Sequence, residues 1–169
     1  MAFEYLPIMA QNSAPKAPRV LAKPSKFAWC VVSKPLSQSR VALLTSAALR
    51  VETQPPFVPR EDLSYRRVPS DPAIGPLVID HHSGIGAVPK QDPEIVFPRT
   101  ALAGLLSRGL IGSVSPQHFS FMGGVRQHAK VEKELAPALG HELLDAQVDL
   151  ALWYRTDLFA MRPSVLSPM

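Results

Sequence analysis

Proline sets the limits on what this chain can fold into. Each proline fixes φ at about −65° and removes a backbone donor, and 18 of the 169 residues are proline, about twice the usual ~5% share. Many crowd together, as Pro55, Pro56 and Pro59 do, and as Pro89, Pro93 and Pro98 do. Long uninterrupted helices are excluded there, so regular elements must be short and lie between proline-bearing loops.

Within those limits there is length for one domain with a proper core, since domains cluster at about 100–150 residues. The chain is 46% hydrophobic and 19% charged, a globular rather than disordered composition. No apolar run approaches the roughly 20 residues a membrane helix needs. Cys30 is the single cysteine, which removes an internal disulfide, a cysteine-based zinc site and an iron–sulfur cluster together. Met1 to Ala10 shows no charged region followed by an apolar one, so no secretory signal is expected and the expected location is cytoplasmic. The formal charge of +4 is unevenly spread. Lys16, Arg19, Lys23, Lys26, Lys34 and Arg40 face only Glu4 in residues 1–40, whereas the rest is close to neutral. A nucleic-acid reader carries its positive charge on a structured face; here it sits on a Pro/Ala/Lys-rich leader over residues 1–33, read as a disordered, solvated arm.

Several elements are legible beyond the leader. Phe27 to Val32 is a short apolar run of strand character, and Arg40 to Ala48 reads as a strand buried on both faces. Val51 to Asp62, with its three prolines, must be a loop. Tyr65 to Val68 is an edge-strand candidate, and Leu77 to Asp80 is a second buried strand. Pro98 suits the first turn of a helix over Arg99 to Arg108, with Leu102, Leu105, Leu106 and Leu110 as its buried face. Ser113 to Gln127 reads as a loop. A further helix is expected over about Ala129 to Ala146, kinked or split by Pro137, and Val148 to Leu152 is a third buried strand. The order predicts a layered α/β fold with a mainly parallel sheet flanked by helices.

Candidate chemistry gathers at two histidine segments. Asp80-His81-His82 follows a strand, and open α/β sheets bind ligands at the carboxyl ends of strands. A carboxylate beside imidazoles offers metal ligands or a proton relay; the plain alternative is a hydrogen-bonded histidine at a polar strand end. Phosphoesterases with an Asp-His-His run also need an earlier Asp-x-Asp motif, and none precedes Asp80. His118, in His118-Phe119-Ser120-Phe121-Met122-Gly123-Gly124, is a candidate general acid or ligand on a loop whose glycines allow close backbone approach; the alternative is an aromatic turn with Phe119 and Phe121 in the core. His128 and His141 read as solvated, and Cys30 as a buried, inert thiol. No catalytic triad, phosphate loop, nucleotide fingerprint or HExxH run is present.

Seven segments, in order, resemble the selenoprotein B family of glycine, sarcosine, betaine and D-proline reductases. They are Arg40 to Ala47, Gln54-Pro55-Pro56-Phe57, Ser64 to Asp71, Leu77 to His81, Asp92 to Pro98, Gly109 to Val114, and His118 to Gly123. The resemblance implies an α/β domain over 34–152 and the reductive cleavage of a carbon–nitrogen bond in an amino acid or its N-methyl derivative. It implies a selenocysteine nucleophile, with a pyruvoyl group on a partner subunit that holds the substrate amine. A selenolate suits that role because it is ionised and nucleophilic at neutral pH.

In the family that selenocysteine follows the last strand seen here, whereas this chain continues Trp153-Tyr154-Arg155-Thr156-Asp157. The codons of Trp153 onward permit, two bases later, a run with TGA followed by a TGC cysteine. Residues 153–169 are therefore read as an out-of-frame tail, and the chain as truncated or frameshifted before its redox centre. Asp80, His81 and His118 are the expected catalytic residues, with no metal and no cofactor held by this chain. The expected partners are a small amino-acid-type substrate and pyruvoyl-bearing or other reductase subunits, with neither nucleic acid nor membrane. A non-catalytic binding or regulatory module of the same fold is the alternative. A metal-dependent hydrolase using Asp80, His81 and Asp92 or Glu94 is the third reading.

Overall fold

A computed structural model describes residues 32–82 and 87–156. Most of the basic leader, Cys30, and residues 157–169 lie outside the described residues.

The first clear element is β1 (Arg40–Thr45), the run read as doubly buried, and five of its six residues are buried. It forms the middle of the main sheet. Along one side β7 (Leu150–Tyr154) runs parallel to it, from Val41 opposite Leu150 to Thr45 opposite Tyr154. Along the other lie β5 (Ser113–Val114) and β6 (Gln117–Phe121), also parallel, with Arg40 opposite Ser113 and Leu44 opposite Phe119. Ser115 and Pro116 separate these two: Ser115 N–H still donates to Val41 O, while the Pro116 carbonyl turns to β3 and accepts Ser70 N–H. β3 (Tyr65–Pro69) closes the sheet antiparallel to β6. The sheet is thus mainly parallel within an α/β fold, as expected.

Two expectations change. Ser113 to Gln127, read as loop, contains the buried strand β6. The strand at Leu77 does form, as β4 (Leu77–Ile79), but it pairs antiparallel with β2 (Leu49–Val51) in a separate two-stranded ribbon, and only Ile79 is buried. Asp80 and His81 therefore leave the end of an antiparallel ribbon rather than the carboxyl end of a parallel strand.

Alternation along the strands gives the sheet two different faces. Leu44, Phe119 and Phe121 point to one, under a helical run made of α3 (His128–Lys130), a π-helical segment Val131–Leu135 and α4 (Ala136–Asp145). Pro137 explains the π segment: its ring would strike the Lys133 carbonyl in a regular α-turn, and the widened turn before it absorbs the misfit without a break. The run ends with Gln147 at φ 52, where Gln147 N–H donates to Leu144 O and Val148 N–H to Leu143 O, a left-handed closure of the last turn.

Val41, Leu43 and Val68 point to the other face. It is covered by the β2–β4 ribbon, the Val96-Phe97 turn and α2 (Arg99–Ser107); a shorter helix, α1 (Ala87–Gln91), precedes these. The buried stripe of α2 is narrower than its leucines suggest. Leu102 is buried, but Leu106 and Leu110 are 40% and 49% exposed. Gly109, at φ 66, ends the helix and turns the chain before Leu110, while Leu106 lies off the stripe that Leu102 and Leu105 present to the core. Gly112 then allows a close approach: a Cβ there would lie 2.5 Å from the Gln38 carbonyl carbon.

Candidate functional site

The carboxyl ends of β1, β6 and β7 meet at Ser46. Its N–H donates to Tyr154 O (3.1 Å), and its carbonyl accepts from Gly123 N–H (3.0 Å) and from the Thr156 hydroxyl (3.0 Å). Its own hydroxyl accepts from Thr156 N–H at 3.0 Å. Ala48 follows at φ 51, with its N–H on Phe121 O and its carbonyl taking Asp80 N–H, both at 3.0 Å. Strand ends and ribbon exit are thereby fixed to one another, although they come from four separate stretches of sequence.

Asp80 is held on three sides. Arg50 donates through Nε at 2.8 Å and through Nη2 at 3.4 Å, and Phe57 N–H donates at 2.8 Å. The ion pair is well shielded, with 13% and 16% of the two side chains exposed. Asp80 thus ties the Pro55-Pro56-Phe57 loop to the ribbon, which is why those prolines sit beside the site. His81 is buried next to it, its ring stacked on His82 with centroids 5.0 Å apart and planes 11° from parallel.

His118 lies in the middle of β6, not on a loop, and is 1% exposed. Between Val41 and Leu44, β1 forms no ladder pair with β5 or β6, and the His118 imidazole fills that gap: Nδ1 accepts the Leu43 N–H at 3.2 Å. An accepting Nδ1 puts the proton of the neutral ring on Nε2. Burial, assisted by the nearby Arg99 charge, pushes its pKa down to about 4, so the ring is neutral at pH 7. The Phe97 ring meets it edge to face, centroids 5.5 Å apart. Ser120, two residues on, uses the same device, its hydroxyl accepting Leu49 N–H at 2.7 Å.

The structure thus joins Asp80 and His81 to the strand ends, whereas His118 belongs to the sheet interior. His128 and His141 are exposed, as read. Asp92 accepts from Glu94 N–H at 3.0 Å and Glu94 from Thr100 N–H at 2.8 Å. Among the described residues no three histidine, cysteine or carboxylate side chains converge on a point where they could hold a metal, so the hydrolase reading lacks its donor set there. A cavity of about 400 Å³, lined by Lys34, Arg40, Ser113 and Asp149 among others, opens at the amino ends of β1, β5 and β7, the end opposite Ser46.

Sequence reading missed Arg99. It opens α2 and reads there as an ordinary first-turn residue, but its Nε is enclosed by protein and has no hydrogen-bond partner. Only its position two residues after the core aromatic Phe97 hinted at burial.

One comparison with known proteins bears on this arrangement. The chain is similar to D-proline reductase subunit gamma of Acetoanaerobium sticklandii. The two are 27% identical over 124 residues, which is 73% of this chain and 51% of the relative. The chain therefore spans about half the length of the curated relative it matches, a distant likeness to an amino-acid reductase component. No protein-family profile matches it, and no solved structure does. No helix among the described residues is long and apolar enough to cross a membrane.

Proposed function

We propose that the chain is a component of an amino-acid reductase of the D-proline reductase type, taking part in reductive cleavage of a carbon–nitrogen bond. The observation that carries this reading is the 27% identity to a D-proline reductase subunit across 73% of the chain. The reaction consumes two electrons and two protons: the Cα–N bond breaks, both atoms gain hydrogen, and D-proline would open to linear 5-aminopentanoate at the expense of a dithiol. In this reading Asp80 is a positioning residue, because its carboxylate is already engaged by Arg50 and Phe57, and His118 is held in place by the Leu43 N–H on its Nδ1. His81, buried at the ribbon exit, is the proton carrier.

The selenocysteine that the family resemblance implies has no counterpart in Arg155 or Thr156, the described residues after β7, and no step is assigned to it here. The coding DNA after Leu152 supplies that nucleophile in the proposal, in a frame shifted by two bases, and the partner is a pyruvoyl-bearing subunit in the cytoplasm. Sequencing that stretch tests the idea. TGA followed closely by TGC is expected, and its absence sinks the frameshift. Reductase activity is then measured as 5-aminopentanoate formed from D-proline and a dithiol, with the partner subunits present. Turnover is expected from the reframed protein and none from the 169-residue chain.

One observation favours a second reading, the non-catalytic module. Trp153 and Tyr154 continue β7 in register with Leu44 and Thr45, and Thr156 is bonded to Ser46 through both its N–H and its hydroxyl. The chain as written is well fitted to the sheet through Thr156. Finding Arg155-Thr156-Asp157 encoded in independent isolates would support this module.

A further inference from the structure

Among the described residues, half-buried arginines are matched by acceptors, with one exception. Arg50 has Asp80, Arg66 has Asp62, and Arg40 donates to Ala146 O and Gln147 Oε1. Arg99 is half-buried too, yet its guanidinium makes no ion pair and no hydrogen bond among the described residues. The carboxylate closest in sequence, Glu94, is engaged by Thr100 N–H. Among the described residues two fully enclosed side-chain nitrogens lack a partner, Arg99 Nε and Trp153 Nε1. The indole is neutral, so its cost is that of one unmade hydrogen bond. A guanidinium is always charged, and enclosing part of it without an anion costs considerably more.

A second unused donor lies close by. The Leu43 bond accounts for His118 Nδ1 and is the ring's sole hydrogen bond among the described residues, which leaves the Nε2–H free to donate. Phe97, which packs on the imidazole, precedes Arg99 by two residues, and the Arg99 charge lies near enough to act on His118.

We propose that Arg99, with the Nε2–H of His118, forms a subsite for the carboxylate of a small organic acid. A planar carboxylate matches the guanidinium fork with two parallel hydrogen bonds. The charge balance points the same way. Arg99 contributes one positive charge and a neutral imidazole contributes none, which fits a monoanion better than a phosphate dianion. The low pKa of His118, from burial and the Arg99 charge, keeps that balance across the physiological range. If the ligand is the α-carboxylate of an amino-acid substrate, the subsite fixes the acid end and leaves the Cα–N bond to other groups; this identification rests on the reductase reading, whereas the carboxylate subsite does not.

The test uses the full chain, with acetate, D-proline and D-prolinamide as probes, followed through the ¹⁵N resonance of Arg99 Nε–H and by calorimetry. Acetate and D-proline should move that resonance, while D-prolinamide, which lacks the carboxylate, should not. Arg99→Gln should weaken binding by about tenfold or more, the worth of a charge-assisted bond, and Arg99→Lys should keep part of it. An unmoved resonance in saturating acetate and D-proline overturns the subsite, as does equal binding by wild type and Arg99→Gln. Because the resonance is read in the wild type, a poorly folded variant does not obscure the answer. Acetate and D-proline binding equally well at Arg99 upholds the subsite and counts against the amino-acid reading. D-proline binding without Arg99 sinks the subsite and leaves that reading intact.

Discussion

The same strands build two unlike faces on the main sheet. Under the α3–α4 run the packed core is apolar apart from the enclosed Trp153 Nε1: Leu44, Phe119, Phe121 and Met122 from the strands and their ends, and Val131, Leu135 and Leu139 from the helices. On the α2 side, Val41, Leu43 and Phe97 share the interior with His118 and Ser120, and Arg99 and the Arg50–Asp80 pair stand at its margins. The first face needs only volume and close contact, which the helices supply. The second buries polar groups whose cost must be met by specific partners. Three of them have protein partners and Arg99 does not. Stability thus belongs mainly to the first face, and the proposed carboxylate subsite to the second.

Truncation on the apolar face should have the largest effect and no pH dependence of its own. Phe121→Ala removes a ring that packs on Trp153 with centroids 6.2 Å apart, and a cost of about 3–5 kcal/mol is expected for a buried Phe→Ala change. Urea melts at several pH values should show the stability curve lowered in parallel. A loss that varies with pH breaks the contrast between the faces.

His118 should behave in the opposite way. Its pKa falls from 6.5 to about 4 on folding, so the unfolded chain takes up a proton between those values and the folded one does not. Stability from this group is complete above pH 6.5 and is lost as pH falls toward 4, by about 3 kcal/mol in all. His118→Gln should flatten that slope in acid melts, while the Phe121→Ala protein keeps it. Next in size comes Asp80. Asp80→Ala leaves Arg50 shielded without its anion and frees the Phe57 N–H, and about 2 kcal/mol is expected. Proteolysis should then cut first in the Pro55-Pro56-Phe57 loop; cleavage elsewhere would argue that the loop is held by other contacts.

The contrast also explains which parts of the fold were legible. β1, β3, α2 and the long helical run follow from apolar periodicity and proline placement, and all form near their expected limits. β6 did not announce itself, because Gln117-His118-Phe119-Ser120-Phe121 alternates polar and aromatic residues after a proline. That pattern normally means an exposed face. Here the polar side is buried because His118 and Ser120 each accept a main-chain N–H from a distant strand, Leu43 and Leu49. Those partners are 75 and 71 residues away, beyond any local pattern. The antiparallel pairing of β4 with β2 was hidden for the same reason. The histidines and Asp80 were visible as residue types, but their engagement was not, and Arg99 stood out only once its missing partner could be seen.

The smallest effect is expected at the rim of the apolar face. Glu142 on α4 accepts from the Tyr65 hydroxyl at 2.6 Å and from Arg67 Nε at 2.8 Å, joining the edge strand to the helix. Arg67, and then Tyr65, hold its carboxyl below the usual range. A carboxyl depressed on folding stabilises above its ordinary pKa, and that contribution disappears as pH falls through the folded value. Arg67 is largely in solvent, with 59% of its side chain exposed, so screening limits the pair to less than about 1 kcal/mol. Glu142→Gln should therefore lower stability slightly at neutral pH, and the difference should shrink in about 1 M salt, where the Debye length falls to ~3 Å. If the loss instead approaches that of Asp80→Ala and ignores salt, this rim is as dependent on fixed polar partners as the α2 side, and the division between the two faces no longer holds.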